Sequence, residues 1–345
     1  MNFDTCTNDS KNNLNLIRLM ASVAVTLSHS YILTKNLAKE PLFLLTGTQT
    51  FGYLAVFVFF VVSGFLISRS FDKNTNISHY LLSRVLRIYP ALLAALVFCA
   101  IPIGLAFSSL SSSEYIKNPQ VWHYITDNLL FRPSFQLPGV FSTNPESESV
   151  NGSLWSLRYE VYSYILVVLF GWIGLLNHRT TFNAVALLMI CLYTKAPTGF
   201  LLIPGHWDAP FFMPILGFLF GMFTYVNRVW IPCKISYIVA FSIIYLFYKN
   251  SEWTFAIYTV TIGYLTLALS FHPKLQLGLV KKNDYSYGIY VYSFPIQQAL
   301  LSIAPTIEPL PHFFISLLIA VPLSMLSWNL LEQPSLRLKK YLLQK

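Results

Sequence analysis

Charge is what this sequence has least of. Of its 345 residues only 11% are Asp, Glu, Lys or Arg, against 55% hydrophobic and 16% aromatic. Soluble domains carry about 25% charged residues, so an ordinary soluble fold is excluded and an integral membrane protein remains. Acid is the scarcer sign, 14 residues against 23 basic ones. The basic excess falls in short segments between apolar runs, which sets membrane orientation and does not make a nucleic-acid surface. No nucleic-acid partner is expected. The four cysteines, Cys6, Cys99, Cys191 and Cys233, are widely scattered without C-x-x-C spacing. Neither a disulfide framework nor a zinc site is supported, and no metal is expected. Also missing are G-x-S-x-G, H-E-x-x-H, G-x-x-x-x-G-K-[ST] and G-x-G-x-x-G. Serine hydrolase, zincin, nucleoside-triphosphate and dinucleotide readings therefore lack support.

Long apolar runs stand where the charge is missing. Runs close to the length of about 20 residues that a spanning helix needs fall at 13–33, 51–71, 89–108, 154–176, 181–202, 210–227, 234–249, 253–271, 285–303 and 312–332. They predict an all-α, polytopic transmembrane bundle of about ten helices, a single membrane domain over residues 1–345. No clear cleavage site follows the first run, so that helix is expected to be retained rather than removed as a signal. With the N-terminus inside, fifteen of the 23 Lys and Arg lie in cytoplasmic segments and six in outer ones. This bias favours ten crossings with both termini cytoplasmic. Residues 109–152 form the one long polar segment, expected outside the membrane. Within it EYIKNPQVWHYITDNLLF suits a helix lying on the membrane surface, a structureless linker being the alternative.

Ionisable side chains inside such runs mark function by default. Arg18 and His29 share the first run, and eleven positions at about 100° bring both to one face, about 16 Å apart along the axis. A plainer reading has Arg18 snorkelling to the interface and His29 packed through a hydrogen bond. Arg84 and Arg87 are three apart, neighbours on a helical face at the cytoplasmic entrance of the third helix, at the membrane level of Arg18. Guanidinium groups grip phosphate oxygens bidentately, so the pair suits a phosphate-bearing ligand, with positive-inside anchoring as the alternative. The fourth helix opens NGSLWSLRYEVYSY, with Ser153 as expected N-cap and Glu160 about two turns in, at the depth of His29. A carboxylate bonded to one imidazole nitrogen leaves the other as a base. An Arg158–Glu160 ion pair competes with that role, although residues two apart do not face each other on a helix. Trp155 and Arg158, with His206 and Asp208 in the outer PGHWDAP segment, are acceptor-side candidates. Glu332, in LLEQP, is expected to cap or pair near the cytoplasmic surface, and Pro334 to mark the helix stop. No histidine has an Asp five positions later, which disfavours the soluble H-x4-D acyltransferases.

Several stretches in order carry a likeness. The R-x10-H of Arg18 and His29, FFVVSGFLIS, the R-x-x-R of Arg84 and Arg87, SLWSLRYE ending at Glu160, YSYGIYVYSFPI and S-W-N-L-L-E-Q-P cover nearly the whole chain. Together this pattern resembles the acyltransferase-3 membrane O-acyltransferases of bacteria. The resemblance implies ten helices in the inner membrane and transfer of an acyl group, commonly acetyl from acetyl-CoA. The acceptor it implies is a hydroxyl of a surface glycan such as O-antigen, capsule or exopolysaccharide, or of a lipid-linked saccharide. In that reading His29 is the base or a transient acyl carrier, supported by Glu160, while Arg18, Arg84 and Arg87 hold the phosphates of acyl-CoA. Acyl-CoA is a donor substrate, and no bound cofactor is expected. Longer relatives append an extracytoplasmic hydrolase-like domain after an extra helix, whereas this chain stops thirteen residues beyond Glu332. No appended soluble domain is expected. Two other classes stay open. A lipid or glycan flippase or transporter would keep partial activity without His29, and a membrane acyltransferase of another family would use a later histidine on lipid or protein acceptors.

Overall fold

The computed structural model describes residues 1–7, 12–73, 76–147, 149–195, 209–248, 253–275 and 283–342. Among them are no strands, only helices, turns and two isolated bridges, so the fold is all-α. Leu14–Leu33, Phe51–Lys73, Ile77–Phe107 and Pro309–Leu338 are each long and apolar enough to cross a membrane. Shorter apolar helices occupy Pro214–Val226, Ile235–Tyr248 and Ala256–Phe271. The third expected helix starts early, at Ile77, so Arg84 and Arg87 ride on it rather than precede it. The fifth runs Arg179–Lys195, and the rest of its expected span lies outside the described residues. In the long polar segment, two helices, Ser112–Lys117 and Pro119–Leu129, stand where a linker was the alternative. The first is closed by a capping box in which the Ser111 hydroxyl accepts from the Glu114 N–H and Glu114 accepts from the Ser111 N–H. The Ser111 hydroxyl also donates to the Glu114 carboxylate at 2.6 Å, and that bond first, then the one from the Ser111 N–H, holds the Glu114 carboxyl below its usual range. The second helix buries Val121, Tyr124 and Asn128 along one face and exposes Trp122.

Prolines explain where the helices depart from regularity. Pro334 was expected to end the last helix, yet the chain runs from Pro309–Ser327 through a π-helical turn, Trp328–Glu332, into Gln333–Leu342. A proline lacks its N–H and its ring collides with the carbonyl four residues back. The wider π turn just before Pro334 makes room for both, so the helix continues. A second π turn, Cys99–Ile103, contains Pro102 and joins Ile77–Phe98 to Gly104–Phe107. A further correction concerns the fourth helix. Its cap is Asn151, whose side chain accepts from the Ser153 N–H and opens a 3-10 turn, Gly152–Ser156, ahead of Leu157–Trp172. Ser153 is not the cap because the 3-10 turn already begins at Gly152, which places the cap two residues upstream of Ser153.

The chain forms two compact units. One comprises Met1–Arg18, Val56–Ile77 and Tyr159–Lys282. Here the helix ending at Lys73 packs backbone to backbone on Ala209–Val226. A Cβ on Gly64 would fall 2.0 Å from the Phe218 carbonyl oxygen, and one on Gly221 would fall 2.2 Å from that of Val61. Only residues without a side chain allow that approach, and close approach is what holds helices together where lipid removes the hydrophobic drive. The other unit comprises Leu19–Ala55, Ser78–Arg158 and Asn283–Lys345. Its centre is Ser286–Ile303, buried along nearly its whole length, with Pro309–Ser327 packed on it so closely that Gly288 meets the Ser324 backbone.

Candidate active site

His29 lies in the second unit, on the helix Leu14–Leu33. Three residues of the Ser286–Ile303 helix, spread over little more than one turn, fix that stretch. Ser293 is 3.0 Å from the Thr26 hydroxyl. The Phe294 ring meets His29 edge-on at 5.0 Å, and the Gln297 amide donates to the Thr26 carbonyl at 2.8 Å and the Ser30 hydroxyl at 2.7 Å. His29 itself is half-buried, with Nδ1 sealed and given no hydrogen bond among the described residues. The Gln297 Oε1 and the Ser28 hydroxyl share that condition. Leaving a buried polar atom unpaired costs about 1–3 kcal/mol, so a histidine held this way is one the surrounding protein does not satisfy. With Nδ1 sealed, Nε2 is the nitrogen of the neutral ring left to accept a proton from a hydroxyl brought to it.

A later histidine lies against the same helix. His312 is fully buried on Pro309–Ser327, with Nε2 2.9 Å from the Gln297 carbonyl. A residue with no accessible surface cannot touch an acceptor, so His312 is a packing and bridging group.

Gln297 and Asn151 were not among the residues the sequence singled out. Pro295 removes the N–H that would have bonded the carbonyl of Val291, four residues back. Asn151 supplies the missing donor, its Nδ2 lying 2.9 Å from the Val291 oxygen. The same side chain caps the turn carrying Trp155, and Tyr290 bonds the Ser156 hydroxyl at 2.7 Å and the Ser153 carbonyl at 2.9 Å. Gln298 adds bonds to the carbonyls of Glu146 and Ser149, so the end of the outer segment is docked on this helix rather than loose. Arg158 lines a small recess with Asn128, Phe131 and Pro133. The available signal for Gln297 was a polar residue two beyond a proline within an apolar run; nothing local marked Asn151.

The arginine pair has a partner as well. Arg84 lies 5.7 Å from the Tyr80 ring. Arg87 forms an ion pair with Asp284, and the two side chains are 18% and 7% exposed. Asp284 also accepts from the Ser286 N–H at 3.3 Å at the start of the central helix, and the Arg87 guanidinium lies 5.8 Å from the Trp328 ring in the π turn. Glu332, at the end of that turn, is buried and accepts from the Ser327 hydroxyl at 3.1 Å. It pairs, as expected, but inside the protein.

Glu160 belongs to the first unit, in the first turn of Leu157–Trp172, and its carboxylate accepts from the Tyr164 hydroxyl one turn on. Glu160 and His29 therefore belong to different units. Arg18 is the last residue of the first unit's opening stretch and is half-buried on the helix that continues to His29. His206 and Asp208 lie outside the described residues. Among the described residues no group of His, Cys, Asp and Glu could hold a metal ion.

These features define a helical membrane protein that keeps a half-buried histidine, its Nδ1 without a hydrogen bond among the described residues, against a buried helix. The chain belongs to the acyltransferase-3 family: the family model described as an acyltransferase domain matches residues 11–329. Two similar proteins extend over nearly all of it. One is an O-acetyl transferase of Shigella phage Sf6, 27% identical over 92% of this chain and 93% of its own length. The other is nodulation protein 10 of Rhizobium leguminosarum bv. viciae, 24% identical over 95% of this chain and 94% of its own. No solved structure gives a significant match. The chain is accordingly a membrane enzyme, an O-acyltransferase.

Proposed function

We propose that this enzyme moves an acetyl group from cytoplasmic acyl-CoA to a hydroxyl of an extracytoplasmic glycan or lipid-linked saccharide, in a bacterial inner membrane crossed ten times with both termini inside. The observation that carries this reading is His29, a histidine inside a membrane helix whose Nδ1 is sealed without a partner among the described residues while Phe294 meets its ring and Gln297 holds its neighbours. His29 accepts the proton of the attacking hydroxyl, or takes the acyl group from the thioester and passes it on. Either role needs the neutral ring. Glu160 is the carboxylate proposed to orient it. Arg18 and Arg84 are proposed to bind the donor's phosphates, with Arg87 sharing its fork between Asp284 and the donor. Trp155 and Arg158, near the docked outer segment, are proposed on the acceptor side, with His206 and Asp208. The name of the phage relative favours acetyl as the group and oxygen as the acceptor atom. The bias of basic residues supports the orientation.

The test is His29→Ala, expressed in cells whose surface polysaccharide is analysed by mass spectrometry. O-acylation should vanish while the variant stays in the membrane at normal abundance. Near-normal O-acylation would remove His29 from the chemistry, and a flippase would keep partial activity and show no need for acyl-CoA in washed vesicles.

A further inference from the structure

The first unit carries a polar cleft that the acyl-transfer reading does not use. It has a volume of about 260 Å³ and is lined by Ser68, Asp72, Asn177, Arg179, Tyr225 and Arg228. Drug-sized ligands occupy pockets of about 300–1,000 Å³, so the cleft suits a headgroup better than a nucleotide with its pantetheine arm. Two guanidinium groups face it, each stacked on an aromatic ring: Arg228 at 4.2 Å from Tyr225 and Arg179 at 4.4 Å from Trp230. Arg228 is already shared, by Asp4 at 3.0 Å and Asp72 at 3.7 Å. Arg179 meets no carboxylate among the described residues. A stacked guanidinium keeps its edge N–H groups directed outward, the geometry that takes a phosphate diester in two parallel bonds.

The surroundings say what kind of phosphate. Trp172, Ile173 and Trp230, beside the cleft residues in sequence, are 77%, 63% and 70% exposed. Exposed tryptophans next to arginines are the composition of a membrane–water interface, with the rings at headgroup level and the cations reaching lipid phosphates. A soluble ligand would gain nothing from such apolar neighbours. We propose that this cleft binds the headgroup of an anionic phospholipid, with Arg179 as the principal phosphate contact and Trp172 and Trp230 against the acyl-chain shoulder.

The proposal stands apart from the histidine chemistry, and its test reads lipid rather than activity. The full chain, purified in detergent, is titrated with dioleoyl phosphatidylglycerol or dioleoyl phosphatidylcholine, and retained lipid is counted by native mass spectrometry. Phosphatidylglycerol should be retained preferentially. Arg179→Ala should weaken it roughly tenfold, the loss of one charge-assisted contact, with phosphatidylcholine unchanged. Arg179→Glu, at the same exposed position, should abolish the preference, and a lipid-free thermal midpoint equal to that of the parent certifies both folds. Equal retention of the two lipids, or a preference untouched by Arg179→Ala, overturns the proposal. Displacement of phosphatidylglycerol by adenosine 3′,5′-bisphosphate overturns it too and returns the cleft to a soluble nucleotide.

Discussion

Asp284 decides how the two arginines on the third helix are to be read. Arg87 and Asp284 are 197 positions apart and largely withdrawn from solvent, so the ion pair offsets charge that each would otherwise bury. Removing one member of a buried pair leaves an uncompensated ion, a cost of about 3–5 kcal/mol. Asp284→Ala should therefore lower stability by about 3 kcal/mol, toward the lower end because Arg87 keeps 18% exposure. Adding Arg87→Ala should recover part of that loss, measurable as thermal midpoints of the two variants. Arg87→Lys separates anchoring from donor binding. If the fork serves the donor, the apparent constant for acyl-CoA rises roughly tenfold while that for the acceptor stays put. If Arg87 serves Asp284 alone, the midpoint falls and both constants hold. Arg18, His29 and Arg84 were legible in the sequence because ionisable groups stand out against apolar neighbours. Asp284 was not, since its partner lies at the far end of the chain and nothing local marks the match.

At the scale of elements the central helix Ser286–Ile303 explains most of what the sequence left hidden. Its proline frees the Val291 carbonyl, and Asn151 takes it, docking the outer segment from a distance of 140 positions. The consequence is testable as a coupled pair. Asn151→Leu should cost about 2 kcal/mol, because a fully buried carbonyl loses its donor. Pro295→Ala restores a backbone N–H at the position that bonds Val291, so the double variant should regain part of that loss where independent sites would add. Chemical denaturation of the four proteins in one detergent checks it, and simple additivity would show that the carbonyl is satisfied some other way. The apolar runs themselves located the helices, because about twenty residues without charge leave few alternatives in a bilayer. Their ends were less legible. Pro334 obeys a local rule for stopping a helix, but burial of Trp328 and Glu332 in the π turn outweighs it.

For the whole molecule the open quantity is orientation, and the chain's own chemistry makes it measurable. Ten crossings with both ends inside predict that reporter cysteines at Lys35, Lys117 and Arg132 react with a membrane-impermeant maleimide in intact cells. Cysteines at Lys73, Arg179 and Lys274 should react only after the membrane is opened. Reaction of Arg179→Cys in intact cells would invert the middle of the chain and move the lipid cleft to the outer leaflet. The three cysteines whose side chains are described, Cys6, Cys99 and Cys233, are each buried to within 1% of complete inaccessibility. Burial, and then the neighbouring Cys6 thiol, also push the Cys233 thiol above its usual range, and a maleimide needs the thiolate. Among the described residues the cysteines thus present an almost silent background to thiol labelling. Only Cys191 needs replacing before single probes are introduced, and the remaining three can stay where they support the packing.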